Sequence, residues 1–333
     1  MCERQLVTAA NTKPEVSVVM SVYNGGQYLE GAVESILNQE SVDLEFIIVN
    51  DGSTDNSQSI LEQYGKRDSR IRLFTQGNQG LTKALIFGCS QAKADYVARQ
   101  DADDISEKSR LRQQLDFFST IPDLVMVSSW SRILGPHNEI LSEIKRPADS
   151  DSATSALLRD RIGPPGHGSV CFSRRAYSEV GGYRPEFYFS QDSDLWLRLA
   201  RIGKIAYIPS FLYGYRYTAD GISGRLRPVQ KEFGQLALAS HHARANGLSE
   251  NSYLETAEKL TQSILEDGYG RTVGRRSLAR ANYFIGSSLQ KQMDKNAGYY
   301  FLEAVKSNPL HMRAWLRWMV CLLQIQKPSD QAG

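Results

Sequence analysis

Short β-branched runs alternate with amphipathic stretches through the first hundred residues. Val16 to Met20, Phe46 to Asn50 and Ile71 to Thr75 read as buried strands. Between the first two, Leu29, Val33, Ile36 and Leu37 recur at helical spacing after the Gly25-Gly26 breaker, which predicts a crossover helix and a βαβ unit. A second helix, opened by a capping signal at Ser53-Thr54-Asp55 and running towards Tyr64, returns the chain to the strand at Ile71. Two successive crossovers predict a largely parallel sheet covered by helices, of the kind that binds nucleotides.

Past Asp104 the pattern turns mixed. A helix over Arg110 to Phe118, a strand at Leu124 to Ser128, a Gly/Pro-rich loop from Gly163 to Gly168, a strand at Ser169 to Ser173, a turn at Gly181-Gly182 and a helix from Ser190 to Ile202 follow in order. After Pro228 the β-branched runs stop and Ala, Leu, Gln and Glu dominate, so the remainder reads as helical. The chain therefore divides into an α/β domain over 1–228 and a helical extension over 229–333. Within the extension, Arg280 to Leu289 and Lys295 to Lys306 alternate small and large residues like one tetratricopeptide unit, with Met312 to Leu323 opening a second. One and a half repeats cannot make a solenoid, so a helical cap on the first domain is the simpler expectation.

Charge and cysteine content narrow the function classes. Across 333 residues, 39 basic side chains face 37 acidic ones, giving no field of one sign strong enough to attract nucleic acid. Cys2, Cys89, Cys171 and Cys321 are widely spaced, which argues against a zinc site or a disulfide framework and for a reducing cytoplasm. Neither a signal-peptide core nor a run of about 20 apolar residues is visible. A cytoplasmic protein, soluble or peripheral at the inner face of a membrane, is expected.

Candidate chemistry sits at predicted strand ends, where ligand loops of open α/β sheets lie. The first strand runs into Tyr23-Asn24-Gly25-Gly26 and the second into Asp51-Gly52-Ser53; each is also simply a tight turn. A third loop holds Asp101, Asp103 and Asp104, three carboxylates in four residues, which suits a hard divalent cation or, equally, a solvated turn. Asp192 and Asp194 open the helix after Phe189, about 200° apart around its axis, so only one can face a cleft; Asp192 is assigned there, and its alternative role is helix capping.

Taken in order, VSVVMSVYNGGQYLEGAVESILNQ, EFIIVNDGSTDNS, ADYVARQDADD and VGGYRPEFYFSQDSDLWLRLA resemble the family 2 glycosyltransferases over about residues 14 to 225. The resemblance implies a GT-A fold, inverting transfer from a nucleotide-sugar donor, UDP by default, and a divalent cofactor, Mn²⁺ or Mg²⁺. It also implies a saccharide, lipid-linked or other hydroxyl acceptor, in polysaccharide or glycoconjugate assembly. By position it implies Asp51 as reader of the base with Tyr23 and Asn24 beside it, Asp101 and Asp103 as the metal pair with Asp101 also facing the ribose, and Asp192 as catalytic base. Gln191 replaces the family's glutamate, and Thr218 stands where many relatives carry a metal-binding histidine. Arg216 and Arg225 are candidates for the diphosphate, or else surface arginines; His167 is a candidate for the acceptor side, or a structural loop residue. The basic, aromatic and apolar stretch from His311 to Leu323 is expected either to pack within the extension or to meet a membrane or protein partner.

Overall fold

The computed structural model describes residues 13–218, 227–267 and 274–325. In chain order its regular elements are β1 (Val16–Val22), α1 (Leu29–Leu37), β2 (Leu44–Asp51), α2 (Ser57–Arg67), β3 (Ile71–Gln76), α3 (Leu81–Ser90), β4 (Tyr96–Asp101), β5 (Ile105–Ser106), α4 (Arg110–Thr120), β6 (Leu124–Leu134) and β7 (Ile140–Ile144). They continue with α5 (Ser150–Ser155), β8 (Cys171–Ser173), α6 (Arg174–Glu179), α7 (Gln191–Leu199), β9 (Lys204–Arg216), α8 (Arg227–Ala245), α9 (Asn251–Asp267), α10 (Arg275–Lys291), α11 (Ala297–Ser307) and α12 (Met312–Ile325).

One mixed sheet runs β3-β2-β1-β4-β8-β6-β9-β5, with β7 paired to β6. The four strands from β3 to β4 are parallel; β8 is antiparallel to both neighbours, and β6 and β9 are parallel to each other. Alternate residues of the central strands feed opposite faces. Val18, Met20, Phe46 and Ile48 pack with Leu29, Val33, Leu61 and Leu111, whereas Val19, Ile47 and Val49 pack with Ala84, Leu85, Leu195 and Leu199. Burial on both faces is why β1 and β2 read as nearly continuous apolar runs. At the second face Gly88 lets α3 close on the sheet, since a Cβ there would lie 2.6 Å from Val19 Cγ1.

Local differences from the sequence pattern have identifiable causes. The helix after β2 starts at Ser57, because Asp55 is drawn away to the neighbouring loop: its Oδ2 accepts from Gly26 N at 3.1 Å and its Oδ1 from Ser57 N at 3.0 Å. β6 extends to Leu134 because its far half pairs with β7 on one side and β9 on the other; within it Ser128 Oγ lies 2.7 Å from Ser169 Oγ. The 13-residue β9 is hidden in sequence by Pro209 and Gly214; the register with β6 shifts around Ser129 and Trp130, which leaves Pro209 outside the ladder.

Both parts of the helical region dock on the sheet domain. Phe187 and Phe189 of the segment before α7 pack with Phe233, Ala257 and Ile264 of α8 and α9. Leu141 of β7 packs with Ile285, Leu289, Tyr300 and Phe301 of α10 and α11, and Cys321 of α12 joins that cluster. Cys89, Cys171 and Cys321 are free and buried. Among the described residues no helix is long and apolar enough to cross a membrane.

Candidate active site

Parallel pairing brings the carboxyl ends of β1, β2 and β4 to one edge. Val22 stands opposite Asn50, Ser21 opposite Asp101, and Asp51 opposite Gln76. Beyond β1 the chain turns through Asn24 in the left-handed region (φ 52°), where its amide oxygen accepts from Thr54 N at 2.8 Å and its own N–H donates to Ser53 Oγ at 3.0 Å. Asn24 therefore clamps the first loop to the second, while Tyr23 beside it remains half exposed. Gly52 (φ 75°) is required at this junction, because a Cβ would lie 2.7 Å from Asn78 N.

Asp51 is buried and well supplied with donors. Its Oδ1 accepts from Gln76 Nε2 at 2.7 Å and Gln79 N at 2.9 Å, and its Oδ2 accepts from Gly80 N at 2.8 Å. With two acceptor sites per oxygen, Oδ2 retains capacity for one further donor, such as a ring N–H. Tyr188, absent from the sequence reading, lies close by: burial raises its phenol pKa, and the charge of Asp51 adds to the effect. Its ring would lie 2.9 Å from a Cβ at Gly80, so Tyr188 and the α3 start form one wall.

The acidic loop divides into residues facing the cleft and one facing inward. Asp101 pairs with Arg99 Nη2 at 2.7 Å, and Arg99 is fully buried, its Nη1 donating to the carbonyls of Val19 and Gln100. Asp104 is buried: its Oδ2 accepts from Tyr213 Oη–H at 2.7 Å and its Oδ1 from Arg216 N at 2.7 Å. Burial drives its pKa well above the usual aspartate value, the charges of Asp103 and Asp101 adding to the rise. A second buried arginine, Arg110, donates to the carbonyls of Arg99 and Gly168 and stacks 5.3 Å from the Tyr213 ring centre. Gly168 permits this packing, since a Cβ there would come within 1.8 Å of Tyr213 Oη and 2.9 Å of Asp101 N.

Asp192 occupies the second position of α7, after a left-handed Ser190 (φ 57°) that serves as N-cap without a side-chain bond to the helix, its Oγ donating instead to Gln230 O at 3.2 Å. It does not cap the helix in the ordinary way; its Oδ1 accepts only from the adjacent Ser193, N–H at 2.7 Å and hydroxyl at 3.5 Å. Burial raises its pKa above the usual aspartate value, and the charge of Asp101 contributes to the rise. Asp194 points the other way and is fully buried against Arg198, whose Nε and Nη2 donate to its Oδ2 at 3.0 and 2.6 Å. A groove of about 720 Å³ runs from Asp192 past Ser193 and Trp196 to Arg146, Arg161 and Leu238.

Three other sequence candidates fall differently. Arg216 is buried and its guanidinium is committed to protein: Nε to Asp103 O at 2.7 Å, Nη1 to Gly135 O at 2.8 Å, Nη2 to Asn138 Oδ1 at 2.7 Å, with the Tyr28 ring 4.4 Å away. The guanidinium that was a candidate for the diphosphate is thus bonded to protein, tying the acidic loop to the β6–β7 turn. Arg225 lies outside the described residues. His167 packs edge-on to Trp196, its Nε2 2.7 Å from Tyr183 Oη, and burial holds its pKa well below the usual imidazole value, the charge of Arg99 adding to this. Thr218 follows the end of β9, partly buried.

Among the described residues no three His, Cys, Asp or Glu side chains converge to hold a metal ion. The carboxylates of Asp101 and Asp103 are hard oxygen donors, and such a sparse pair fits a divalent cation that arrives with phosphate oxygens of its own, as Mg²⁺ commonly does. It does not fit a cation held by protein alone.

Comparison with known proteins gives the family and the fold. Residues 17–182 match the family described as glycosyl transferase family 2. The hyaluronan synthase of Pasteurella multocida is 28% identical over 224 residues, 67% of this chain, but the match spans only 22% of that synthase's length. The putative glycosyltransferase EpsE of Bacillus subtilis is 32% identical over 224 residues, 65% of this chain and 77% of EpsE. Among solved structures, S. aureus TarS 1-349 in complex with UDP-GlcNAc is similar in fold, with a TM-score of 0.54 at 15% identity over 88% of this chain and 89% of that one.

Proposed function

The chain belongs to glycosyl transferase family 2, and on that premise we propose that it transfers a sugar from a nucleoside diphosphate donor, UDP foremost, to an acceptor hydroxyl with inversion. The observation that carries the reading is the register of the parallel strands, which sets Asp51, with an acceptor site still open, and Asp101 at one edge of the sheet, with Asp192 near enough to Asp101 for their charges to interact. The donor lies across the ends of β1, β2 and β4, its base against Asp51 and Tyr23 and its diphosphate towards Asp101 and Asp103. A divalent cation accompanying the diphosphate, held by Asp103 and Asp101, would neutralise charge on the leaving group. Asp192 takes the acceptor proton as the acceptor oxygen bonds to the anomeric carbon; the bond to the diphosphate oxygen breaks on the opposite face and the nucleoside diphosphate departs. The transition state is oxocarbenium-like, so positioning and fixed charge lower most of the barrier.

The groove leading from Asp192 suits the acceptor. Arg146 is tied by its Nε to Gly163 O at 2.8 Å and by Nη1 to Lys145 O at 3.1 Å, and Arg161 by its Nη2 to Gly234 O at 3.2 Å, so both guanidinium groups are anchored at the groove wall. Such donors suit saccharide hydroxyls and anionic substituents. Relatives named as hyaluronan and chondroitin synthases, and the TarS structures with UDP and UDP-GlcNAc, support a UDP-sugar donor and a role in polysaccharide assembly. The test is a panel of nucleotide sugars with Mn²⁺: one donor should raise the melting temperature and release nucleoside diphosphate, more so with acceptor saccharide. If no nucleotide sugar is either bound or turned over, the reading is wrong.

A further inference from the structure

The three helices α10 to α12 differ from the rest of the chain in charge. Residues 274–325 hold eight Lys and Arg against two acids, a net of +6 in a chain whose total is +2. All eight basic residues are exposed. On α12 the buried side is narrow: Ala314 and Cys321 face α11, with Trp318 partly buried beside them. The opposite side is apolar and open. Met312 is 73% exposed, Leu316 60%, Met319 47% and Leu323 66%. At 100° per residue these four fall within about 60° of arc, with Arg313 and Arg317 on one flank.

A stripe of this kind, beside a basic flank and with no acid on the helix, has the chemistry of an interfacial membrane element. We propose that α12 rests on an anionic lipid surface, its Met and Leu side chains entering the acyl boundary while Arg313, Arg317 and the exposed basic residues of α10 and α11 meet the headgroups. Charge selects this occupant over a second copy of the chain, because two such units of +6 would repel at close approach. The apolar stripe selects it over a nucleic acid, which would leave those side chains unpaired. Trp315, its Nε1–H donating to Pro309 O at 2.9 Å, sits at the other flank of the stripe, where indoles favour the interface. Such docking would hold the enzyme at a surface without a membrane-spanning helix.

The experiment is co-sedimentation of the whole protein with vesicles of phosphatidylcholine plus phosphatidylglycerol, and with phosphatidylcholine alone. Binding should require the anionic lipid and weaken as salt screens the charges. Leu316→Glu with Leu323→Glu should abolish it, and Arg313→Gln with Arg317→Gln should weaken it about tenfold or more. Because all four side chains are exposed, and the one bond lost is from Arg317 Nη1 to Gln290 Oε1 at 2.8 Å, melting temperatures should change little, and nucleotide-sugar hydrolysis in the absence of vesicles should match the unaltered protein. The proposal is overturned if the protein stays in the supernatant with anionic vesicles at low salt, if the glutamate variant still binds, or if the stripe instead mediates a concentration-dependent dimer that the glutamate variant dissolves.

Discussion

Replacing Asp101 by Asn should destabilise the protein through Arg99 rather than through the cleft. Arg99 is fully buried and Asp101, 2.7 Å from it, is the carboxylate that balances its charge. Opposite unit charges about 4 Å apart attract by about 4 kcal/mol at an effective dielectric near 20, and removing one partner of a buried pair costs about 3–5 kcal/mol. Two features reduce that cost: the Asn amide oxygen can still accept from Arg99 Nη2, and the Asp101 side chain is 24% exposed. The expected loss is therefore about 2–3 kcal/mol, read as a lowered guanidinium midpoint at unchanged slope. Arg99→Met removes the charge that needs balancing, although it also frees the carbonyls of Val19 and Gln100. In the double variant the Asp101→Asn penalty should largely vanish, giving a coupling energy of about 1.5–3 kcal/mol. If the two single changes add to within about 0.5 kcal/mol, the pair does not hold this loop together and its place in the account is lost.

Further outcomes follow from the same geometry. Gly168→Ala drives a Cβ into Tyr213 Oη and Asp101 N, so it should cost about 1–3 kcal/mol in denaturant melts and impair donor turnover as well; a silent variant would contradict the packing under the acidic loop. Because Asp192 works as the carboxylate and burial raises its pKa, kcat/KM should fall with decreasing pH sooner than an ordinary aspartate would make it, and a profile that falls only where an ordinary or lowered carboxylate titrates would exclude it as the base. Arg161→Gln, at the groove wall, should raise the KM for acceptor while leaving donor-only hydrolysis unchanged, and the reverse pattern would place the acceptor elsewhere.

The half-sheet was legible because β1, β2 and β3 are bracketed by turn residues and separated by clean helical periodicity. The strand ends were legible too: Asp51, Asp101 and Asp103 sit where parallel strands must deliver them. What lay beyond the pattern depends on contacts distant in sequence. Arg216 looks like a phosphate ligand in a Tyr-rich run, yet Gly135 and Asn138, some 80 residues earlier, take up its guanidinium. Nothing in the sequence marks Arg99 and Arg110 as buried; the chain around Gly168 and Val170 covers them. Asp104 looked equal to its two neighbours, but Tyr213, on a strand masked by Pro209, turns it inward. The basic, aromatic and apolar make-up of α12 was visible, whereas which face stayed open depended on how α11 packs.

The central claim is that Asp192 takes the acceptor proton. Asp192→Asn keeps the size of the side chain and an oxygen for Ser193 N, but it cannot accept that proton. A carboxyl whose pKa is raised by folding loses stabilisation as pH rises through that raised value, so the variant should be at least as stable as the parent at neutral pH. Single-turnover sugar transfer, measured beside donor affinity, separates the roles. Transfer should slow by about 10²–10⁴-fold with donor affinity within a few-fold of the parent; a folded variant that transfers sugar at close to the parental rate would show that Asp192 is not the base.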